Sequence, residues 1–171
     1  MKHFIILLLL MFFGFTVFAL GDAETDELSL FKIGRSKDAN EIHYEVNLDE
    51  NGNLDLSSPF RTYWIKYTWN GRIEPLTWIQ TRYAYGLKIL HRSPKNIEFQ
   101  FVSYSKRNFW LKRLDSGRYK VFTLSNGKEV EVERVFIQID GGTFWVPKIS
   151  QVELFAKQPE TGDAILEIIH P

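Results

Sequence analysis

The chain has 171 residues, of which 44% are apolar and 15% aromatic, enough to bury a substantial core and to exclude disorder for most of its length. Its formal charge of zero at pH 7 argues against a nucleic-acid binder, whose balance is normally basic. The absence of cysteine excludes disulfides, thiol catalysis, cysteine metal sites and a lipoprotein anchor.

At the N-terminus, "MKHFIILLLLMFFGFTVFALGDA" sets Lys2 and His3 before an apolar run from Phe4 to Phe18. Ala19-Leu20-Gly21 then supplies the small residues a signal peptidase accepts before Asp22. The run is short for a membrane span of about 20 residues. Residues 1–21 are therefore predicted to be a cleaved signal peptide that leaves no stable transmembrane anchor, and the protein is expected in a bacterial periplasm or in the medium. Residues 22–28 read as a flexible acidic leader, and 29–171 as a single β-rich domain.

Charge is unevenly distributed beyond the signal. Residues 22–60 carry ten acids and three bases, residues 61–120 thirteen bases and three acids, and residues 121–171 four bases and eight acids. The basic middle suits an anionic ligand such as a phospholipid head group or an acidic glycan. Basic strands lying beside acidic ones would cancel the same charge without any ligand.

Taken in chain order, "LSLFKI" and "EIHYEVNL" fit strands, the second with Ile42, Tyr44, Val46 and Leu48 on one face and His43 on the other. "DENGNLDLSSP" supplies turn residues. "TYWIKYTW" alternates again, with Tyr63, Ile65, Tyr67 and Trp69 opposite Trp64 and Lys66. After a central segment come "NIEFQFVSY", "NFWLKRL", "GRYKVFTL", "KEVEVERVFIQI", "ISQVELFA" and "AILEII", each of strand length and joined by short links that force antiparallel neighbours. The Asn126-Gly127 pair suits a type I′ hairpin, which would set Thr123 opposite Val130, Val121 opposite Val132 and Lys120 opposite Glu133. The apolar parity then slips, from Val130 and Val132 to Val135, Ile137 and Ile139, and a β-bulge near Glu133-Arg134 would keep both sets facing the core. The fold class is mainly β: an antiparallel meander forming a barrel or curled sandwich.

The central segment, "EPLTWIQTRYAYGLKIL", reads as one short helix over about 75–85, with Pro75 in its first turn and Gly86 at its end. On a helical wheel Leu76, Ile79, Tyr83 and Leu87 share the docking side, and Trp78, Arg82 and Tyr85 share the outer side. Two aromatics flanking an arginine can grip a planar or anionic group. They can equally form a second small core with the arginine stacked between them.

Reactive chemistry is sparse. The histidines beyond the signal, His43, His91 and His170, lack metal-ligand spacing, so no metal and no cofactor is expected. "DENGNLD" alternates oxygen ligands like a calcium loop, but its glycine is misplaced and Phe60 stands where the bidentate acid belongs, so a plain turn is expected. Ser36, with Lys37, Asp38 and His43 nearby, marks the densest gathering of reactive side chains, which a charged loop before a strand explains as well as a catalytic site does. In "DGGTFWVPK" Trp145 could flank a ligand or pack in the core.

Together, "FKIGRSKDANEIHYEVNLD", "YWIKY", "EPLTWIQTRYAYGLKI", "FQFVSY" and "VFIQIDGGTFWVPKISQVELFAK" resemble a family of exported bacterial proteins catalogued as a domain of unknown function. The resemblance covers about residues 30–171 and implies export, one domain and bacterial origin, with no activity or catalytic residue attached. The leading expectation is a non-enzymatic protein binding a lipid-like or anionic small ligand through Trp78, Arg82, Tyr85, Trp64, His43 and Trp145. The alternatives are a hydrolase working through Ser36, Asp38 and His43, and an envelope protein that presents the helix to a protein partner.

Overall fold

The computed structural model describes residues 27–143 and 146–170. The expected signal peptide, residues 22–26 of the leader, and Trp145 lie outside the described residues. Strands β1 (Ser29–Arg35), β2 (Asp38–Val46), β3 (Phe60–Lys66) and β4 (Arg72–Pro75) make one antiparallel meander. A second comprises β5 (Leu87–Ser93), β6 (Asn96–Phe101), β7 (Tyr104–Arg113), β8 (Tyr119–Ser125), β9 (Lys128–Gly142), β10 (Pro147–Lys157) and β11 (Ala164–Ile169). The two meet where β1 runs parallel to β9, from Lys32 opposite Arg134 to Arg35 opposite Ile137. Short links dictate antiparallel neighbours only within each meander; β1 and β9 are far apart in sequence and are free of that constraint.

The fold is thus mainly β, a curled half-barrel whose nine-strand path runs β4-β3-β2-β1-β9-β8-β7-β6-β5, with β10 and β11 branching from β9. Its inner face is packed with aromatics. Phe31 stacks on Tyr44 at 4.4 Å between ring centroids, Phe101 meets both rings edge-on, and Phe99 stacks on Phe109 at 5.6 Å. Offset and edge-to-face geometries of this kind add to the area term that drives burial.

The two ends of the path, β4 and β5, are consecutive in the chain. The segment between them, residues 76–86, carries the helix α1 (Trp78–Tyr83) and spans the open side of the half-barrel. On the β3 side the Trp64 indole donates to Gln80 Oε1 at 3.3 Å. On the other side Val102 N–H donates to the Gly86 carbonyl at 2.9 Å and Ser103 Oγ to that of Ala84 at 2.6 Å. From within, the fully buried Tyr44 donates its hydroxyl to the Tyr85 carbonyl at 2.7 Å, and burial pushes its pKa well up. The run of strands is interrupted here by a short helix that links the two ends of the path, which do not pair with each other among the described residues.

The helix is shorter than the sequence predicts. It starts at the Thr77 cap, whose side chain accepts from Gln80 N–H at 3.3 Å while Gln80 Oε1 accepts from Thr77 N–H at 2.9 Å, a reciprocal capping box. Pro75 ends the edge strand β4 instead of opening the helix. Further differences concern strands. "TYWIKYTW" is strand only as far as Lys66, with Tyr67–Trp69 in a 3-10 turn, "NIEFQFVSY" divides into β6 and the start of β7 at a turn on Val102-Ser103, and β4 and β5 were not foreseen. The ladder of β5 is irregular between Ile89 and His91, which breaks its alternation.

The hairpin is as expected: Asn126 has φ 49° and Gly127 φ 77°, and Thr123 faces Val130. The β8–β9 ladder stops at Phe122 opposite Glu131, however, so the Val121 and Lys120 pairings do not form. Opposite β10, Arg134 and Val132 pair with the adjacent Phe155 and Ala156, which leaves Glu133 as the extra residue of a bulge at the anticipated place. Beyond it β1 replaces β8 as the neighbour of β9. A Cβ added at Gly127 would have nothing within 4 Å, so Gly127→Val opposes only the positive φ. It should cost about 1 kcal/mol or more in thermal unfolding, and an unchanged melting temperature would reject the turn type.

Candidate ligand-binding site

The bulge has a second effect. Val130 and Val132 are buried in the packed part of the inner face, whereas Val135, Ile137 and Ile139, continuing on the same face, line a cavity of about 510 Å³. That volume lies within the range of small-molecule sites, roughly 300–1,000 Å³. Strand β10 adds Ile149, Val152 and Leu154 to the lining, and β1, β6 and β7 add Ile33, Phe101 and Phe109. The helix segment closes it with Ile79, Gln80, Tyr83 and Tyr85.

The cavity carries three cations, Arg35, Lys37 and Arg107, and no carboxylate among its described lining residues. Two of the cations have partners. Arg35 binds Asp38 at 2.7 Å and donates to the Tyr85 hydroxyl at 3.4 Å, with its guanidinium 4.7 Å from the centre of the Trp64 ring. Desolvation works against its charge, but Asp38 and Tyr85 outweigh it and hold the pKa above the ordinary value. Arg107 on β7 reaches across to Glu167 on β11, one of its two contacts being 3.0 Å. The hydrogen bond from Arg107 holds the Glu167 carboxyl below its usual range despite desolvation. Lys37, exposed in the β1–β2 turn, makes no ion pair among the described residues.

The five described residues of the six expected ligand-binding ones fall into separate places, Trp78 with Arg82, Trp64 with Tyr85, and His43 apart from both. Trp78 is 68% exposed, and Arg82 lies over its ring at 5.4 Å and over that of Tyr83 at 5.6 Å. Tyr83, predicted to dock the helix, is 63% exposed, and Tyr85, predicted to face outward, packs edge-on against Trp64 and lines the cavity. The wheel fails for Tyr85 because the helix ends at Tyr83 and Tyr85 no longer follows helical phase, whereas Tyr83 keeps the side of Ile79 but stands exposed at the cavity mouth. Trp64 is 1% exposed, a core residue. His43 lies on the other face of β2, stacked on Tyr63 and 3.4 Å from Glu41, with a pKa that desolvation lowers. Trp145 is outside the described residues.

Nor do the residues of the hydrolase alternative bond to one another. Ser36 Oγ donates to the Ile139 carbonyl and accepts from the Ile139 N–H, Asp38 holds Arg35, and His43 sits beside Glu41. In the turn that resembles a calcium loop, Asp49 Oδ1 accepts from the N–H groups of Asn51 and Asn53, the pattern of a side-chain-closed turn. Sequence reasoning passed over Arg107, and placed Lys37 beside Ser36, Asp38 and His43 without assigning it to a ligand site. The signal available for Lys37 was its place in a turn beside a strand end.

A family model described as a domain of unknown function, DUF4833, matches residues 31–168. No curated protein and no solved structure matches the chain.

Proposed function

Since the chain belongs to the DUF4833 family, which carries no activity with it, we propose from the geometry that the protein is an exported, non-enzymatic carrier of a single-chain anionic amphiphile such as a fatty acid. The observation that carries this reading is the cavity: an aliphatic and aromatic interior of about 510 Å³ with Lys37, the exposed cation without an ion pair among the described residues, at its opening. An acyl chain would lie against Val135, Ile137, Val152 and Leu154, and its carboxylate would meet Lys37 and the outer side of Arg35. The apolar run from Phe4 to Phe18 and the small residues after it support export.

Mass spectrometry of the protein purified natively from its own cell envelope should find a mature N-terminus between Leu20 and Glu24 and a co-purifying acidic lipid. Ile137→Trp, which fills the cavity, should lower the affinity for a long-chain fatty acid at least tenfold. Each methylene removed from the ligand should cost about 0.8 kcal/mol, roughly fourfold. An affinity independent of both chain length and Ile137→Trp would overturn the proposal.

A further inference from the structure

Six residues both line the cavity and are exposed, and so mark its mouth: Lys37, Tyr83, Ser103, Thr143, Val146 and Pro147. Two of them are large apolar side chains held out in solvent, Tyr83 at 63% and Val146 at 73% exposure. Beside Tyr83, and outside the cavity, Trp78 is more exposed still, its ring meeting that of Tyr83 edge-on at 6.1 Å. Arg82 sits over both rings and donates through Nε to the Tyr83 hydroxyl at 3.1 Å, and it has no carboxylate partner among the described residues. The rim is thus aromatic, apolar and cationic at once. The surrounding chain has the same sign: residues 61–92 contain six Lys and Arg against one acid, Glu74, which Arg72 holds at 3.3 Å.

From this we infer that the cavity mouth docks on the surface of an anionic lipid bilayer, Trp78 and Tyr83 entering the head-group layer and Arg82 and Lys37 meeting lipid phosphates. Tyrosine and tryptophan are the residues whose amphipathic rings settle at that depth, and each basic residue held near an anionic surface is worth roughly fivefold in binding. Charge complementarity selects this occupant, and the placement gives it a purpose. A mouth pressed to the bilayer lets an amphiphile pass from membrane to cavity without crossing water. The inference rests on the carrier reading for its purpose, but Trp78 and Arg82, the exposed ring and unpaired cation that its test changes, lie outside the cavity lining.

The test is co-sedimentation of the natively purified protein with vesicles of phosphatidylcholine alone and of phosphatidylcholine mixed equally with phosphatidylglycerol. The protein should bind the mixed vesicles and not the neutral ones. The double variant Trp78→Ser with Arg82→Glu should bind them at least tenfold more weakly, while retaining its circular dichroism and its uptake of a dispersed medium-chain fatty acid, because neither side chain lines the cavity. All variants share one N-terminus, so the difference reads the rim alone. Ile137→Trp should do the reverse, keeping vesicle binding and losing fatty-acid uptake. Equal binding to both vesicle types, or undiminished binding by the double variant, overturns the docking surface. If that occurs while fatty acid is still taken up, the carrier reading stands without it.

Discussion

Gly86→Ala should cost about 3 kcal/mol, the upper end of what overpacking usually brings, and lower the melting temperature by roughly 6–12 °C for a chain of this size. Gly86 is buried, and a Cβ built on it would lie 1.8 Å from the Thr81 carbonyl oxygen and 2.8 Å from its carbon. Those are backbone atoms at the end of α1, so no rotamer change can make room. The helix terminates with Ala84 and Tyr85 N–H both donating to the Gln80 carbonyl, at 3.1 and 2.8 Å, and the chain then doubles back beneath its own last turn. Glycine is required there for space, since Gly86 is not among the positive-φ residues. The added methyl must push the helix from the sheet, breaking the Val102 N–H bond to the Gly86 carbonyl and widening the cavity wall formed by Ile79 and Tyr85. Thermal unfolding of the variant beside Gly127→Val tests this. A melting temperature depressed no more than by the hairpin change would show that the segment yields at little cost.

The second large effect is expected at the pair that ties β11 to β7. Both side chains of the pair, Arg107 and Glu167, are less than a fifth exposed, and Glu167 shares its inward parity with Ile165 and Ile169, which pack against the core. Arg107→Ala leaves that carboxylate without its arginine partner and should destabilise by about 2 kcal/mol, below the full cost of breaking a buried pair because both side chains keep some solvent exposure. Glu167→Gln keeps the shape and one acceptor and should cost about half as much. The pH dependence has a definite sign. The folded pKa of Glu167 is depressed, chiefly by the Arg107 hydrogen bond, so its contribution is complete above the unfolded value of about 4.3 and is lost as pH falls below that through the folded value. Wild type should therefore lose stability more steeply in acid than Glu167→Gln does. Parallel acid limbs in the two unfolding series would mean that the pair contributes nothing.

The strands could be read from the sequence because their period-two alternation is a consequence of one packed face, and the bulge because alternation broke at a single point between Val132 and Val135. The helix was legible as an interruption but not in its phase. Pro75 drew the start three residues too early, although Thr77-x-x-Gln80 already spelled a capping box, and the misplaced end carried Tyr85 to the wrong side. The cavity could not be read at all. Val130 and Ile137 are equivalent as apolar strand residues; what separates a filled core from a hollow one is the curvature of the sheet and the partner above each residue. Arg107 and Glu167 lie sixty positions apart, and only the folding back of β11 brings them together.

The parallel seam between β1 and β9 also sets an order of assembly. Every neighbour within β5–β11 is reached through a short link, so that half can form by successive local hairpins at small loop-closure cost. The first meander, β1 to β4, meets the rest of the sheet through β1, and the edge it needs is the part of β9 beyond Glu133, more than half the chain away. Until that edge exists, β1 stays an unpaired template on its outer side, and the helix that must span from β4 to β5 has only one rim to rest on. The residues synthesised first are therefore the last to be secured, and the hollow face becomes a cavity only when they are.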